Sequence, residues 1–244
     1  MKREASFFFL VFIFFYSCSS DDSSADSKIS LEEALRNKEF SIDNVIACAA
    51  SNIDSNVVSV FLYPRSGVSN INFYQTKTVD VDKNNFAEYT KGEGDLIDVF
   101  NGHLLKYEIV PEEEKWIIVS FEERGEIHLS NPIRLKQTSK PTEYLSENVM
   151  VQSSNMPVFT WQDGVFDDTK IYFHVVSSAN NDLLSGTYTF EKRFQYYKLD
   201  NVVLNITEEI PPILETGEGY DFTLLAVSED NWVNLFSTVP FNIP

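Results

Sequence analysis

The sequence predicts an all-β protein of two tandem antiparallel β-sandwich domains. Short runs alternate apolar and polar residues with period two, as in Val58-Ser59-Val60-Phe61-Leu62-Tyr63, Ile71-Asn72-Phe73-Tyr74 and Ile171-Tyr172-Phe173-His174-Val175. Clusters of Gly, Pro, Asn and Asp separate the runs, as turns between strands require. The pattern then occurs twice, at a spacing of about 100 residues, which means two copies of a domain rather than a solenoid of short repeats.

Taken in order, the chain opens with a ten-residue apolar run from Phe7 to Tyr16, with Lys2 and Arg3 before it and small polar residues after it. A bilayer-spanning helix takes ~20 apolar residues, so the run is too short to span. Charge, apolar core and small residues in that order read as a secretory signal. Its end, Phe15-Tyr16-Ser17-Cys18, resembles a bacterial lipobox, with Ser17 as the small residue before the cysteine. The resemblance implies a signal peptide of residues 1–17, acylation of Cys18 and a membrane contact made through that lipid. The alternative is an ordinary signal peptide with an incidental cysteine. Residues 18–28 are polar, acidic and too poor in apolar side chains to fold, and so form a flexible tether. A serine-aspartate cluster directly after the cysteine resembles the export tag of Bacteroidota surface lipoproteins. That implies a lipid-anchored place on the outer membrane, facing outward.

Composition narrows the partners. The net charge is −18, which argues against nucleic acid, whose binding rests on Lys and Arg neutralising phosphates. Solubility is the ordinary reading of such acidity, and divalent cation binding is the sharper one. Of the two cysteines, acylation of Cys18 leaves Cys48 without an intramolecular partner, so no disulfide framework is expected. Cys48 lies in a run of small and apolar residues, Val45-Ile46-Ala47-Cys48-Ala49-Ala50-Ser51, and reads as a buried, inert thiol.

The first domain is expected over residues 29–137. It begins with a short helix at Ser30-Leu31-Glu32-Glu33-Ala34-Leu35, where Ser30 and Glu33 have capping-box spacing. Strands follow. Late in this domain Trp116-Ile117-Ile118-Val119-Ser120-Phe121 leads to an acidic turn and a returning strand; 106 residues on, Phe222-Thr223-Leu224-Leu225-Ala226-Val227 does the same. Phe61–Tyr63 and Ile71–Phe73 correspond likewise to Phe159–Trp161 and Ile171–Phe173. Residues 138–141 are a linker, and residues 142–244 are the second domain.

The second copy resembles a fibronectin type III domain. Trp161 stands at the end of the second strand, and Leu214-Glu215-Thr216-Gly217-Glu218-Gly219-Tyr220 matches the Leu-x-x-Gly-x-x-Tyr corner. The resemblance implies a core Trp161, and a Tyr220 hydroxyl bonded to nearby backbone so as to pin the crossing between sheets. The first copy is a looser, fibronectin-III-like or immunoglobulin-like match, with Trp116 where the corner Tyr belongs and Tyr63 in place of the core Trp. If both domains are wound this way, Asp230, Asn231 and Trp232 pack at the junction between domains. The turn Ala179-Asn180-Asn181-Asp182 and the stretch 211–219 then form the distal tip.

No catalytic constellation emerges. His103, His128 and His174 have no paired metal-ligand spacing, and no H-E-x-x-H, G-x-S-x-G or P-loop is present. No cofactor is expected. Asp80-Val81-Asp82-Lys83-Asn84-Asn85 begins like a calcium loop, with Asp80, Asp82 and Asn84 at alternate positions. Lys91 stands where such a loop needs a bidentate Glu, so a polar turn is the stronger reading. Tyr196 and Tyr197 are read as neighbours in one strand, on opposite faces, so that one of them lies outside. Together with Asn180, Asn181 and Asp182 they are the candidate binding residues. The functional expectation is a non-enzymatic, lipid-anchored surface module that binds or assembles with a protein partner; the alternative is a glycan-binding accessory lipoprotein of a polysaccharide-utilisation or hydrolase system.

Overall fold

A computed structural model describes residues 29–53, 55–207 and 209–244. The signal, Cys18 and tether expected at the N-terminus lie outside the described residues. The first half contains α1 (Leu31–Leu35), β1 (Phe40–Val45), β2 (Ala47–Ser51), β3 (Val58–Leu62), β4 (Ser69–Gln75), β5 (Thr90–Lys91), β6 (Leu96–Val99), β7 (Leu104–Ile109), β8 (Trp116–Glu123), β9 (Glu126–Ser130) and β10 (Ile133–Arg134). The second contains β11 (Glu143–Tyr144), β12 (Val149–Gln152), β13 (Val158–Trp161), β14 (Thr169–Ser178), β15 (Leu183–Thr189), β16 (Arg193–Gln195), β17 (Val202–Asn205), β18 (Gly219–Ser228) and β19 (Val233–Asn242).

Each half is a two-sheet sandwich. In the first, a sheet ordered β1-β9-β8-β4-β5, with β10 also paired to β8, faces a sheet ordered β2-β3-β7-β6. In the second, β11-β19-β18-β14-β15-β17 faces β12-β13-β16. Both halves start alike: β1 runs parallel to β9, and β11 parallel to β19, before the chain crosses to the opposite sheet as β2 or β12. The other pairings between these strands, within each half, are antiparallel, as hairpin connections allow.

The inward faces of the long strands are mostly apolar. Val58, Val60, Leu62, Phe73, Ile117, Val119 and Phe121 fill the first sandwich. Phe159, Trp161, Tyr172, Phe222, Leu224 and Ala226 fill the second, where the Phe159 and Phe222 rings stack with centroids 4.0 Å apart. Ser30 caps the first helix: its Oγ accepts the Glu33 N–H at 3.2 Å. Leu31 and Leu35 then seal the outer face of the first sandwich against Tyr74, Tyr89, Ile118 and Leu129.

The two halves repeat in strand order, but the residue alignment read from the sequence is one position out. A 106-residue shift sets Val119 against Leu225. Val119 points into its sandwich, whereas Leu225 points out of its own. Leu62, not Tyr63, faces inward as Trp161 does, and Tyr63 lies on the outside. Because side chains alternate along a strand, an odd error in register exchanges the two faces.

Candidate functional site: the cleft between the sandwiches

The sandwiches pack side to side. The outer face of β2-β3-β7-β6 lies on the outer face of β14, β15, β18 and β19, burying Ala50, Leu104, Phe173, Val175, Leu225, Val227 and Val233 in one apolar layer. The turn between β18 and β19 inserts into the first sandwich. Trp232 is fully buried among Ala49, Val60 and Leu135, and its Nε1–H donates to the Lys140 carbonyl at 2.7 Å. The Ala49 N–H donates to the Asn231 carbonyl at 3.0 Å, and Asp230 pairs with Lys136 at 2.7 Å. Thr142 ties three segments together: its N–H donates to Ser51 Oγ at 2.8 Å, and its Oγ1 accepts the Ser51 N–H and donates to the Val233 carbonyl. The two sandwiches thus share an apolar layer, backbone hydrogen bonds and an ion pair, the kind of interface that opposes relative motion of domains.

Where the two sheet faces part, they leave a cleft of about 230 Å³. Its walls carry Phe61, Tyr63, Phe100, Phe173, Tyr188 and Phe236, with Cys48, Leu104 and Leu225 between them. Phe173 and Tyr188 stack with centroids 4.5 Å apart, and Phe61 and Phe236 at 6.4 Å. Desolvation by these neighbours pushes the Cys48 thiol up to about 12, so it stays protonated and unreactive at neutral pH. The same burial, together with nearby Cys48, raises the Tyr188 phenol well above its ordinary value, so it is neutral. At one end the lining turns polar, with Ser177, Asn181, Asp221, Thr223 and Thr238. The cleft is concave, mostly aromatic and edged by a few polar groups, which is the usual composition of a small-molecule site.

The predicted residues fall elsewhere, with one exception. The turn of Asn180, Asn181 and Asp182 does not form a free distal tip: side-to-side packing brings it against the first sandwich. There the Asn101 Nδ2–H donates to Asp182 Oδ1 at 2.6 Å and to the Asn180 carbonyl at 3.2 Å, and Asn181 reaches the cleft wall. Tyr196 and Tyr197 follow β16 in a turn rather than sharing a strand. Tyr196 is buried, with its hydroxyl donating to the Pro212 carbonyl at 2.7 Å, and Tyr197 is half-exposed with φ 76°.

Trp161 sits in the second core. The Tyr220 Oη accepts the Glu215 N–H at 2.9 Å across the β17–β18 connection, which is the corner geometry. Trp116 faces outward beside Tyr74 and Ile118, donating from Nε1 to the Val79 carbonyl at 3.2 Å. Asp82 spends its Oδ1 on the Asn84 N–H at 2.9 Å, and the Asp80 N–H donates to Thr78 Oγ1, as a polar turn does. Among the described residues, no group of three or more His, Cys, Asp or Glu side chains is placed to hold a metal ion.

His174 lies in the second core, its Nδ1 2.9 Å from the Thr187 hydroxyl and its ring 4.2 Å from that of Phe194. Desolvation lowers it to about 3, so it is neutral across the physiological range. One sequence signal did point to the cleft. Tyr172–Val176 and Phe222–Val227 are nearly unbroken apolar runs, and such runs mark strands buried on both faces.

No family profile matches the chain, and a search of curated proteins finds no match. Among solved structures, a biofilm-associated protein BSP domain aligns with TM-score 0.28 and 12% identity over 87% of this chain, and 31% of that chain. The chicken CNTN1 FN1-FN3 domains align with TM-score 0.26 and 13% identity over 84% of this chain and 68% of that one. A GH family 64 laminaripentaose-producing β-1,3-glucanase from Paenibacillus barengoltzii, complexed with laminarihexaose, aligns with TM-score 0.28 and 10% identity over 79% of this chain and 50% of that one. The chain thus spans under a third of the first of these. The fold rests on its own strand pairing and not on these likenesses.

Proposed function

We propose that the chain is a non-catalytic binding module of the cell envelope, anchored by a lipid on Cys18, with the cleft between its sandwiches as its binding site. The observation that carries the binding reading is the cleft, a concave aromatic chamber to which both sandwiches contribute walls. Burial holds Cys48 and Tyr188, two of the groups that line it, in their neutral forms. The lipobox-like Phe15–Cys18 supports the anchor, and the acidic tether after it supports display away from the membrane.

The test of binding uses a chain beginning at residue 18 with Cys18→Ser, so that no lipid competes for the cleft. An environment-sensitive apolar fluorophore should bind saturably, and Thr238→Trp at the exposed edge of the cleft should abolish that binding. Binding that survives Thr238→Trp unchanged would refute the assignment. Labelling of intact cells with radioactive palmitate, lost in Cys18→Ala, tests the anchor.

A second reading follows from Tyr197. Its ring lines a groove with the apolar Phe194, Leu199, Ile210 and Pro211 and the polar Ser185, Asn205, Thr207 and Glu209, an apolar floor with hydrogen-bonding groups at its side that a sugar could use. Retardation on gels containing soluble polysaccharides, abolished by Tyr197→Ala, would support glycan binding there; equal mobility with and without polysaccharide would reject it.

A further inference from the structure

We propose that the cleft takes a small apolar amine, its hydrocarbon or aromatic body among Phe61, Phe173, Tyr188 and Phe236 and its cationic head at Asp221. The inference rests on the cleft being the binding site and adds the class of ligand.

The body follows from size and lining. An apolar cavity of about 150 Å³ accommodates benzene. At about 230 Å³ the cleft has room for a phenyl ring with a short chain, or for an aliphatic chain of similar volume. Aromatic faces on both sides supply stacking surface.

The head follows from charge. Along β14 and β18 the outward residues change from Phe173 and Leu225 to Ser177 and Asp221, and these last two are paired directly across the strands. Asp221 is half-buried at the polar end, and among the described residues it has no ion pair or side-chain hydrogen bond. Among the described residues, no Lys, Arg or His lines the cleft. A ligand carboxylate or phosphate would therefore lie against an uncompensated negative charge, whereas an ammonium would neutralise it. Ser177, Thr223 and Asn181 offer further oxygen acceptors for its remaining N–H groups. The aromatic faces favour a cation, and the net charge of −18 draws cations toward the molecule at low salt.

The experiment compares three near-isosteric probes by isothermal titration calorimetry at low ionic strength, on the chain from residue 18 with Cys18→Ser. The probes are 2-phenylethylamine, 2-phenylethanol and 3-phenylpropanoate. The amine is expected to bind about fivefold tighter than the alcohol, the upper end for one partly exposed charge pair, and the carboxylate more weakly than both. Asp221→Asn should bring the amine to the level of the alcohol while leaving the alcohol unchanged. Thr238→Trp should remove all binding. If the alcohol binds and Thr238→Trp blocks it, but the amine has no advantage or keeps it in Asp221→Asn, the amine inference falls and the cleft stands as the site. If none of the three binds, both fall.

Discussion

Replacing Trp232 by Ala tests whether the sandwiches are energetically one unit. Trp232 belongs to the β18–β19 turn of the second sandwich, yet its indole is fully buried in the core of the first. Truncating a buried Trp to Ala costs about 3–5 kcal/mol, the lost transfer energy plus the cavity left behind. The change also orphans the Lys140 carbonyl that accepts the indole N–H, adding about 1 kcal/mol. The sum approaches half of the stability of an ordinary domain, about 5–15 kcal/mol. The assay is urea unfolding followed separately by far-ultraviolet circular dichroism and by aromatic fluorescence. Wild type should unfold in one transition with both probes superimposed. Trp232→Ala should lower stability by about 4 kcal/mol or split the transition, the first sandwich unfolding first. Trp232→Phe keeps most of the ring packing and loses the hydrogen bond, so its cost should be about 1–2 kcal/mol. A cost below about 1 kcal/mol for Trp232→Ala, with coincident probes, would refute the claim that the second sandwich completes the core of the first.

The remaining predictions concern single groups. His174 is neutral when folded, with its value lowered to about 3, while the unfolded chain takes up a proton below about 6.5. Stability should therefore fall as pH drops through 6.5 toward 3, by up to about 1.4 kcal/mol per unit. Unfolding free energies at pH 7 and 5 should show wild type losing about 2 kcal/mol more than His174→Phe, and equal losses would contradict the burial argument. Cys48, raised to about 12, should react with iodoacetamide at pH 8 about 10³-fold more slowly in the native chain than in urea, as read by mass spectrometry. Gly92→Ala would set a Cβ 1.9 Å from Cε2 of the buried Phe73 ring, which itself packs on Tyr107. Thermal unfolding should show a loss of about 1–3 kcal/mol from this overpacking, and an unchanged midpoint would mean the ring moves freely.

The class of fold, the doubling of the domain and the local devices were all legible in the linear string. Period-two alternation follows from the pleat, so it is written in any strand with one buried face. The Ser30 cap and the Tyr220 corner join residues three and five positions apart, and separations that short are visible along a chain. What the string did not carry was direction between repeats. Alternation marks a strand without saying which alternate faces inward, so the slip of one matched Tyr63 to Trp161 where Leu62 belongs, and Val119 to Leu225 where Leu224 belongs.

The site, by contrast, came from long-range packing. The cleft joins Cys48 and Phe61 to Tyr188 and Asp221, residues more than a hundred positions apart in the chain, and it exists because two sheet faces meet side to side rather than end to end. That arrangement is driven by burial: the outer faces of β14 and β18 are too apolar to leave in water, and covering them with the first sandwich removes Phe173, Val175, Leu225 and Val227 from solvent. The same packing carried the Asn180–Asp182 turn from an imagined tip to a contact with Asn101. The unbroken apolar runs Tyr172–Val176 and Phe222–Val227 announce that both faces are covered, but no local pattern names the covering surface, because the energy resides in the pairing of two surfaces.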